Sequence, residues 1–238
     1  MKLDILAFGA HPDDVELGAG GTMAAQAALG AVTGIVDLTA GEMGTRGTPE
    51  IRKVEAENAA KILGCKVREI LNFRDGFFTN DESHQLEVIK IIRKYQPEIL
   101  LINAPTDRHP DHGRAAQLVL DASFLAGLRK VETTDNGISQ LPWRPKAVYH
   151  YMQFYSLTPT LIFDISGFIS AKMEAIKAHK SQFFNPQSDE PETIIASKSF
   201  FESLEGRARE YGRLIYKEFG EGFIAARVSG INDFRNLI

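Results

Sequence analysis

Two short runs place metal-type ligands close together: His11-Pro12-Asp13-Asp14 and His109-Pro110-Asp111-His112. Imidazole nitrogen and carboxylate oxygen are competent zinc donors, and three protein ligands leave one coordination position for water. On zinc, that water's pKa falls from ~15.7 toward ~7, which supplies hydroxide near neutral pH. His11, Asp14 and His112 would form such a ligand set, and Asp13 could accept the water's proton and return it to a leaving group. His109 could steady a developing oxyanion, most effectively if protonated. Asp111 could hydrogen-bond a histidine and set its orientation. Spacing alone leaves open which of Asp13 and Asp14 ligates and which moves the proton. Either could instead cap a following helix, and His109 and His112 alone could be turn residues. The metal reading gains because both runs directly follow apolar, strand-like segments, where α/β proteins build their active sites. Fe2+, Co2+ and Mn2+ also suit these donors.

The elements that must position these residues alternate along the chain. Residues 3–9, 32–39, 67–71 and 99–103 read as strands, and residues 18–29, 50–63, the stretch from 80–83 to about Tyr95, and 113–127 read as helices. In residues 50–63, Ile51, Val54, Ala59 and Ile62 recur near helical spacing and mark an apolar face. The alternation implies an α/β fold, a Rossmann-like, mostly parallel sheet with helices on both faces. With the common strand order 3-2-1-4, strands one and four are neighbours at the switch point. The active site then lies at their C-terminal ends, where the two runs meet. Beyond this, 130–140 reads as a loop, 146–152 and 160–165 as strands, and 169–179 and 200–218 as helices. Residues 185–192 are polar and hold two prolines, which suggests a mobile loop. The tail from Glu221 shows no clear period.

A chain of 238 residues suits one domain spanning 1–238. Its composition, 44% hydrophobic and 24% charged, is that of an ordinary globular protein. A net charge of −4 without a long basic block argues against nucleic acid or an anionic membrane as main partner. One cysteine, Cys65, excludes an internal disulfide framework and suits the reducing cytoplasm. The first apolar run is too short and polar for a signal peptide or membrane span.

The run from Ala10 through Gly18, with Gly20-Gly21, and the run His109-Pro110-Asp111-His112 resemble the two signatures of the LmbE/PIG-L family. These are zinc-dependent N-acetylglucosaminyl deacetylases with a Rossmann-like fold. The resemblance extends to Gly41-Glu42 and residues 45–52, and more loosely to Asp164-Ile165-Ser166 and His179-Lys180-Ser181-Gln182. Within the family the chain is most similar to the deacetylase of bacillithiol biosynthesis, which acts on N-acetylglucosaminyl malate. The resemblance implies His11, Asp14 and His112 on zinc, Asp13 as general base, His109 near the substrate carbonyl and Asp111 as its support. It also implies a homo-oligomer, often a hexamer or trimer.

The expected partner is therefore a small amino-sugar, anionic if its aglycone is malate. Arg52 is the leading candidate for gripping a sugar or carboxylate, since a guanidinium matches paired oxygens. Arg46 and Arg108 follow, with solvated loop arginines as the plain alternative. Glu42 could take a sugar hydroxyl or cap its loop. Gly20-Gly21 could admit a ligand close to the backbone. His179 reads as a helix-end packing residue before a catalytic one, and His84 and His150 as structural. The competing readings are deacetylation of another amino sugar, such as a chitooligosaccharide or glycopeptide, and a nucleotide-binding module with a structural metal. The second is disfavoured, because no Gly-x-Gly-x-x-Gly pattern follows strand one.

Overall fold

A computed structural model describes residues 1–231, 233 and 235. The first half alternates as expected: β1 (Ile5–Gly9), α1 (Asp14–Ala28), β2 (Thr33–Thr39), α2 (Pro49–Ile62), β3 (Val67–Phe73), α3 (Glu82–Tyr95), β4 (Ile99–Ile102) and α4 (Pro110–Leu125). Then come β5 (Thr134–Asp135), β6 (Ile138–Ser139), β7 (Ala147–Tyr151), β8 (Leu161–Asp164), α5 (Ile169–Ala178), α6 (Lys198–Leu214) and β9 (Gly220–Ala225). Seven strands form one sheet in the order β3-β2-β1-β4-β7-β9-β8. The first five run parallel, while β9 pairs antiparallel with both β7 and β8. β1 and β4 are neighbours, so the switch point lies between them.

Alternate residues of the central strands feed two core layers, as the two-residue strand period requires. Leu6 and Phe8 join Val36, Leu100 and Ile102 against residues of α3 and α4. Ile5 and Ala7 join Ile35 and Leu101 against α1, α2 and α5. Helices therefore cover both faces.

Four expectations change. α1 and α4 begin inside the His-Pro-Asp runs, at Asp14 and Pro110, several residues before the helical pattern becomes visible. Proline suits that first helical position because the missing N–H would have no partner there. Residues 130–140 contain a small hairpin, turned by Asn136 and Gly137 with φ of 49° and 78°. The stretch from Gly220 to Ala225 is a strand of the main sheet. Its pattern is diluted by glycines needed for close packing: a Cβ at Gly222 would meet the Tyr211 ring at 3.0 Å. Finally, Ile51, Val54 and Ile62 of α2 are exposed, and the face turned inward carries Arg52, Glu55, Ala56, Ala59 and Ala60. Gly21 serves packing as well, since a Cβ there would overlap the Ile165 side chain at 2.7 Å.

Candidate active site

Parallel strands deliver their following loops to one end of the sheet. His11, Pro12 and Asp13 follow β1, the loop of residues 41–48 follows β2, Asp75 follows β3, residues 103–109 follow β4 and Gln153 follows β7. The two His-Pro-Asp runs meet there. The rings of His11 and His112 lie 5.6 Å apart and those of His11 and His109 4.6 Å apart, centroid to centroid.

Asp14 sits between two of these rings. Its Oδ1 lies 3.2 Å from His112 Nε2 and its Oδ2 3.7 Å from His11 Nδ1. The carboxylate also accepts hydrogen bonds from the His11 amide, Asn103 Nδ2 and Gln153 Nε2, at 3.0, 2.9 and 2.7 Å. Each histidine leans on another carboxylate with its second nitrogen. His112 Nδ1 is 2.7 Å from Asp107, and His11 Nε2 is 3.1 Å from Asp75 and 3.3 Å from Asp111. Such a second carboxylate fixes the tautomer and ring angle of a metal-ligating histidine. Ligand atoms on a tetrahedral ion at about 2.0–2.1 Å stand about 3.3 Å apart, close to the two Asp14–histidine separations. The donor types suit a zinc-type ion, with the two separations running to different Asp14 oxygens. Among the described residues, the groups whose potential ligand atoms all lie within 4.8 Å of one another are His11, His109 and His112, and separately His11, Asp75 and Asp111; His11, Asp14 and His112 are not one of them. In the second grouping His11 would use Nε2, the nitrogen turned away from Asp14.

Asp13 stands beside this centre in a strained conformation, φ 131°, which costs a non-glycine residue about 1–3 kcal/mol. Arg52 holds it. Its Nη2 donates to Pro12 O at 2.8 Å and to Asp13 Oδ2 at 3.3 Å, and its Nη1 to Gly41 O at 3.0 Å. Gly41, with φ of 66°, leaves space for that guanidinium: a Cβ there would lie 1.8 Å from Nη1. Thr48 caps the start of α2 through the Ile51 amide and so fixes the turn that presents Arg52.

Electrostatics separate the two aspartates. Burial pushes the Asp13 carboxyl up, opposed by Arg52, whereas His112, His11 and Asn103 outweigh burial at Asp14 and hold it well below the usual carboxylate range. Burial works against charge on His11, but Asp111, Asp75 and Asp14 push it up to about 10. Burial likewise opposes charge on His112, and Asp14 and Asp107 push it up to about 9. His109 goes the other way, lowered by burial and by His11 and His112. That lowering disfavours the protonated form, in which the ring would steady an oxyanion most strongly. Its Nδ1 accepts from the Asp111 amide at 3.3 Å, which places the ring proton on Nε2.

Asp111 departs from the expected pairing. Its carboxylate reaches His11 Nε2, the Gly76 amide and Arg114 Nη1, and only its backbone amide meets His109. The other predicted residues divide. A cavity of about 450 Å³ is lined by His11, Asp13, Asp14, His109, His112, Arg46, Arg52 and Arg108. Arg52 is buried, with both terminal nitrogens committed. Arg46 is paired with Glu190, and Arg108 is exposed over the Phe154 ring. Glu42 does not line the cavity: its carboxylate accepts from the Asp75 amide at 2.7 Å, the loop-capping alternative. His179 is fully buried 3.4 Å from Glu16, as a packing residue would be.

Asp75, Asp107, Asn103 and Gln153 were missed from sequence. Position alone could have found Asp75 and Asn103, which follow β3 and β4 at the end of the sheet where ligands bind. Asp107 and Gln153 follow β4 and β7 at the same end of the sheet, but no motif marks them.

The model of the PIG-L family, described as GlcNAc-PI de-N-acetylase, matches residues 6–123. A diacetylchitobiose deacetylase of Thermococcus kodakarensis is 32% identical over 189 residues, covering 75% of this chain and 70% of that protein. A probable N-acetyl-α-D-glucosaminyl L-malate deacetylase 2 of Bacillus anthracis is 24% identical, covering 73% and 78%. The crystal structure of a conserved protein from Thermus thermophilus superposes with a TM-score of 0.86 at 33% identity, over 98% of both chains. The identity to the archaeal deacetylase extends well past the matched signature region, and the chain belongs to the PIG-L/LmbE family of deacetylases.

Proposed function

We propose that this chain hydrolyses the N-acetyl group of an N-acetylglucosaminyl conjugate, releasing acetate and a free amine. The observation that carries this reading is the Asp14 carboxylate held between His11 and His112, with the raised carboxyl of Asp13 beside it. His11, Asp14 and His112 would hold zinc, or alternatively Fe2+, Co2+ or Mn2+. Zinc, when bound, polarises an amide carbonyl and lowers the pKa of water. Asp13 takes the proton of the attacking water and delivers it to the departing nitrogen, a role suited to a carboxyl whose pKa lies above its ordinary value. His109 directs an Nε2–H hydrogen bond at the developing oxyanion. Asp111 and Asp75 orient His11, and Arg52 holds Asp13 in place.

The leading substrate is N-acetylglucosaminyl malate, in keeping with arginines at the cavity and with the Bacillus relative. A chitooligosaccharide is the second reading. It is favoured by the apolar wall of Leu17, Phe154, Ile194, Ile195 and Phe200 and by the Thermococcus relative. Amine release should be measured with metal-stripped protein reloaded with one metal at a time, on N-acetylglucosaminyl malate and on diacetylchitobiose. Restored release with zinc supports the reading, and no release from either glycoside with any of the four metals refutes it. A homo-oligomer, trimeric or hexameric, and a cytoplasmic location belong to the same proposal. Light scattering tests the first. Among the described residues no helix is long and apolar enough to cross a membrane.

A further inference from the structure

One arginine in the cavity wall is already occupied by a carboxylate of the chain itself. The Arg46 side chain is 5% exposed, and its Nε donates to Glu190 Oε2 at 3.2 Å. The Gly47 amide donates to the other oxygen, Oε1, at 3.0 Å. Arg46 Nη2 donates to Ser188 Oγ at 2.7 Å, and Gln182 Nε2 anchors the Arg46 carbonyl at 2.7 Å. Gly47 takes φ of 70°, and a Cβ there would strike the Ser181 hydroxyl, so the backbone is set with its N–H turned to the carboxylate. A guanidinium edge and a backbone amide, each on one carboxylate oxygen, make a carboxylate cradle.

The occupant is held far less firmly than the cradle. The Glu190 side chain is 42% exposed and lies in the polar loop between α5 and α6. Beyond its own turn, the described hydrogen bonds from residues 186–192 to the rest of the chain run through Ser188 and Glu190 alone. The same connection leads on to Ile194 and Ile195, which line the cavity.

We propose that Arg46 and the Gly47 amide form a subsite for a carboxylate on the substrate's aglycone, and that Glu190 occupies it in cis until such a substrate displaces it. The proposal rests on the deacetylase reading and names its substrate class: N-acetylglucosaminyl glycosides whose aglycone carries a carboxylate. A neutral glycoside would leave Glu190 seated and use only the apolar wall.

The test compares the metal-loaded wild type with Glu190→Gln on N-acetylglucosaminyl malate and on diacetylchitobiose. Glu190→Gln removes the competing charge from an exposed position. It should lower KM for the malate glycoside roughly three- to tenfold at constant kcat, the scale of one partly exposed charge-assisted contact, and leave diacetylchitobiose within about twofold. Adding Arg46→Gln should abolish that gain, as coupled partners require. Equal changes for both glycosides, or no change, overturn the proposal, since a loop fastener would affect them alike. Should wild type cleave neither glycoside, the deacetylase reading fails separately. Calorimetric binding of L-malate then decides: tighter binding to Glu190→Gln supports the subsite, and equal or absent binding overturns it.

Discussion

At the scale of single residues, the two adjacent aspartates of the first run are shifted in opposite directions because their neighbours differ. Asp14 faces two imidazoles and two side-chain amides that favour its anion, while Asp13 is buried with one guanidinium for company. Asp13→Asn should therefore keep the metal and lose activity by about 10²–10⁴-fold, the usual worth of a positioned general base. Metal content by atomic emission and amine-release kinetics check this together, and an active variant would remove Asp13 from its role. The ligand-type residues of this site were legible because each run gathers several into four positions. Their supporting carboxylates were not. Asp75 and Asp107 lie in separate loops, and only the folded sheet brings them to His11 and His112.

At the scale of elements, the first turn of α1 must be fixed against the sheet, and a buried charge cluster does this. Arg68 of β3 binds Asp37 of β2 through two nitrogens, at 2.7 and 2.9 Å, and Glu16 of α1 at 2.6 Å. The Arg68 side chain is 4% exposed, and those of its partners are fully buried. Replacing it by methionine would leave two carboxylates buried without a cation. We expect Arg68→Met to cost about 3–5 kcal/mol, measured by denaturant unfolding. A loss below about 1 kcal/mol would mean that the cluster relaxes or hydrates. The same logic explains the misread face of α2. Periodicity assigns apolar residues inward, but Arg52 and Glu55 are the ones that reach the interior. Arg52 steadies Asp13, and Glu55 accepts from the Ser181 amide and hydroxyl. The common order 3-2-1-4 was assumed and not read, and the sheet adopts it, one of the few topologies a βα alternation leaves. β9 was not legible, because its glycines answer to Tyr211 and Ile162 instead of a strand pattern.

At the scale of the whole molecule, metal binding, protonation and stability are coupled. Their neighbouring carboxylates push His11 and His112 up to about 10 and about 9. Both are raised above the ordinary value, so their stabilising contribution is full below about pH 6.5 and fades as pH rises through 9 and 10. A dication must displace those protons. Zinc uptake at pH 7 should release about two protons, and affinity should climb with pH until the histidines are neutral. Titration calorimetry in buffers of different ionisation enthalpy measures the count, and release of none would show that the histidines are already neutral. A longer-range tie joins the two ends of the chain. Glu221 of β9 accepts from the amides of Gly21 and Thr22 in α1 and pairs with Lys172, whose ammonium also bonds the Leu17 carbonyl. The donor and acceptor one turn apart in α1 are thus both engaged by a single ion pair contributed by the C-terminal third. During synthesis, both signature runs leave the ribosome long before Glu221 does. The tie that fixes this turn of α1 can therefore form only after β9 has been made.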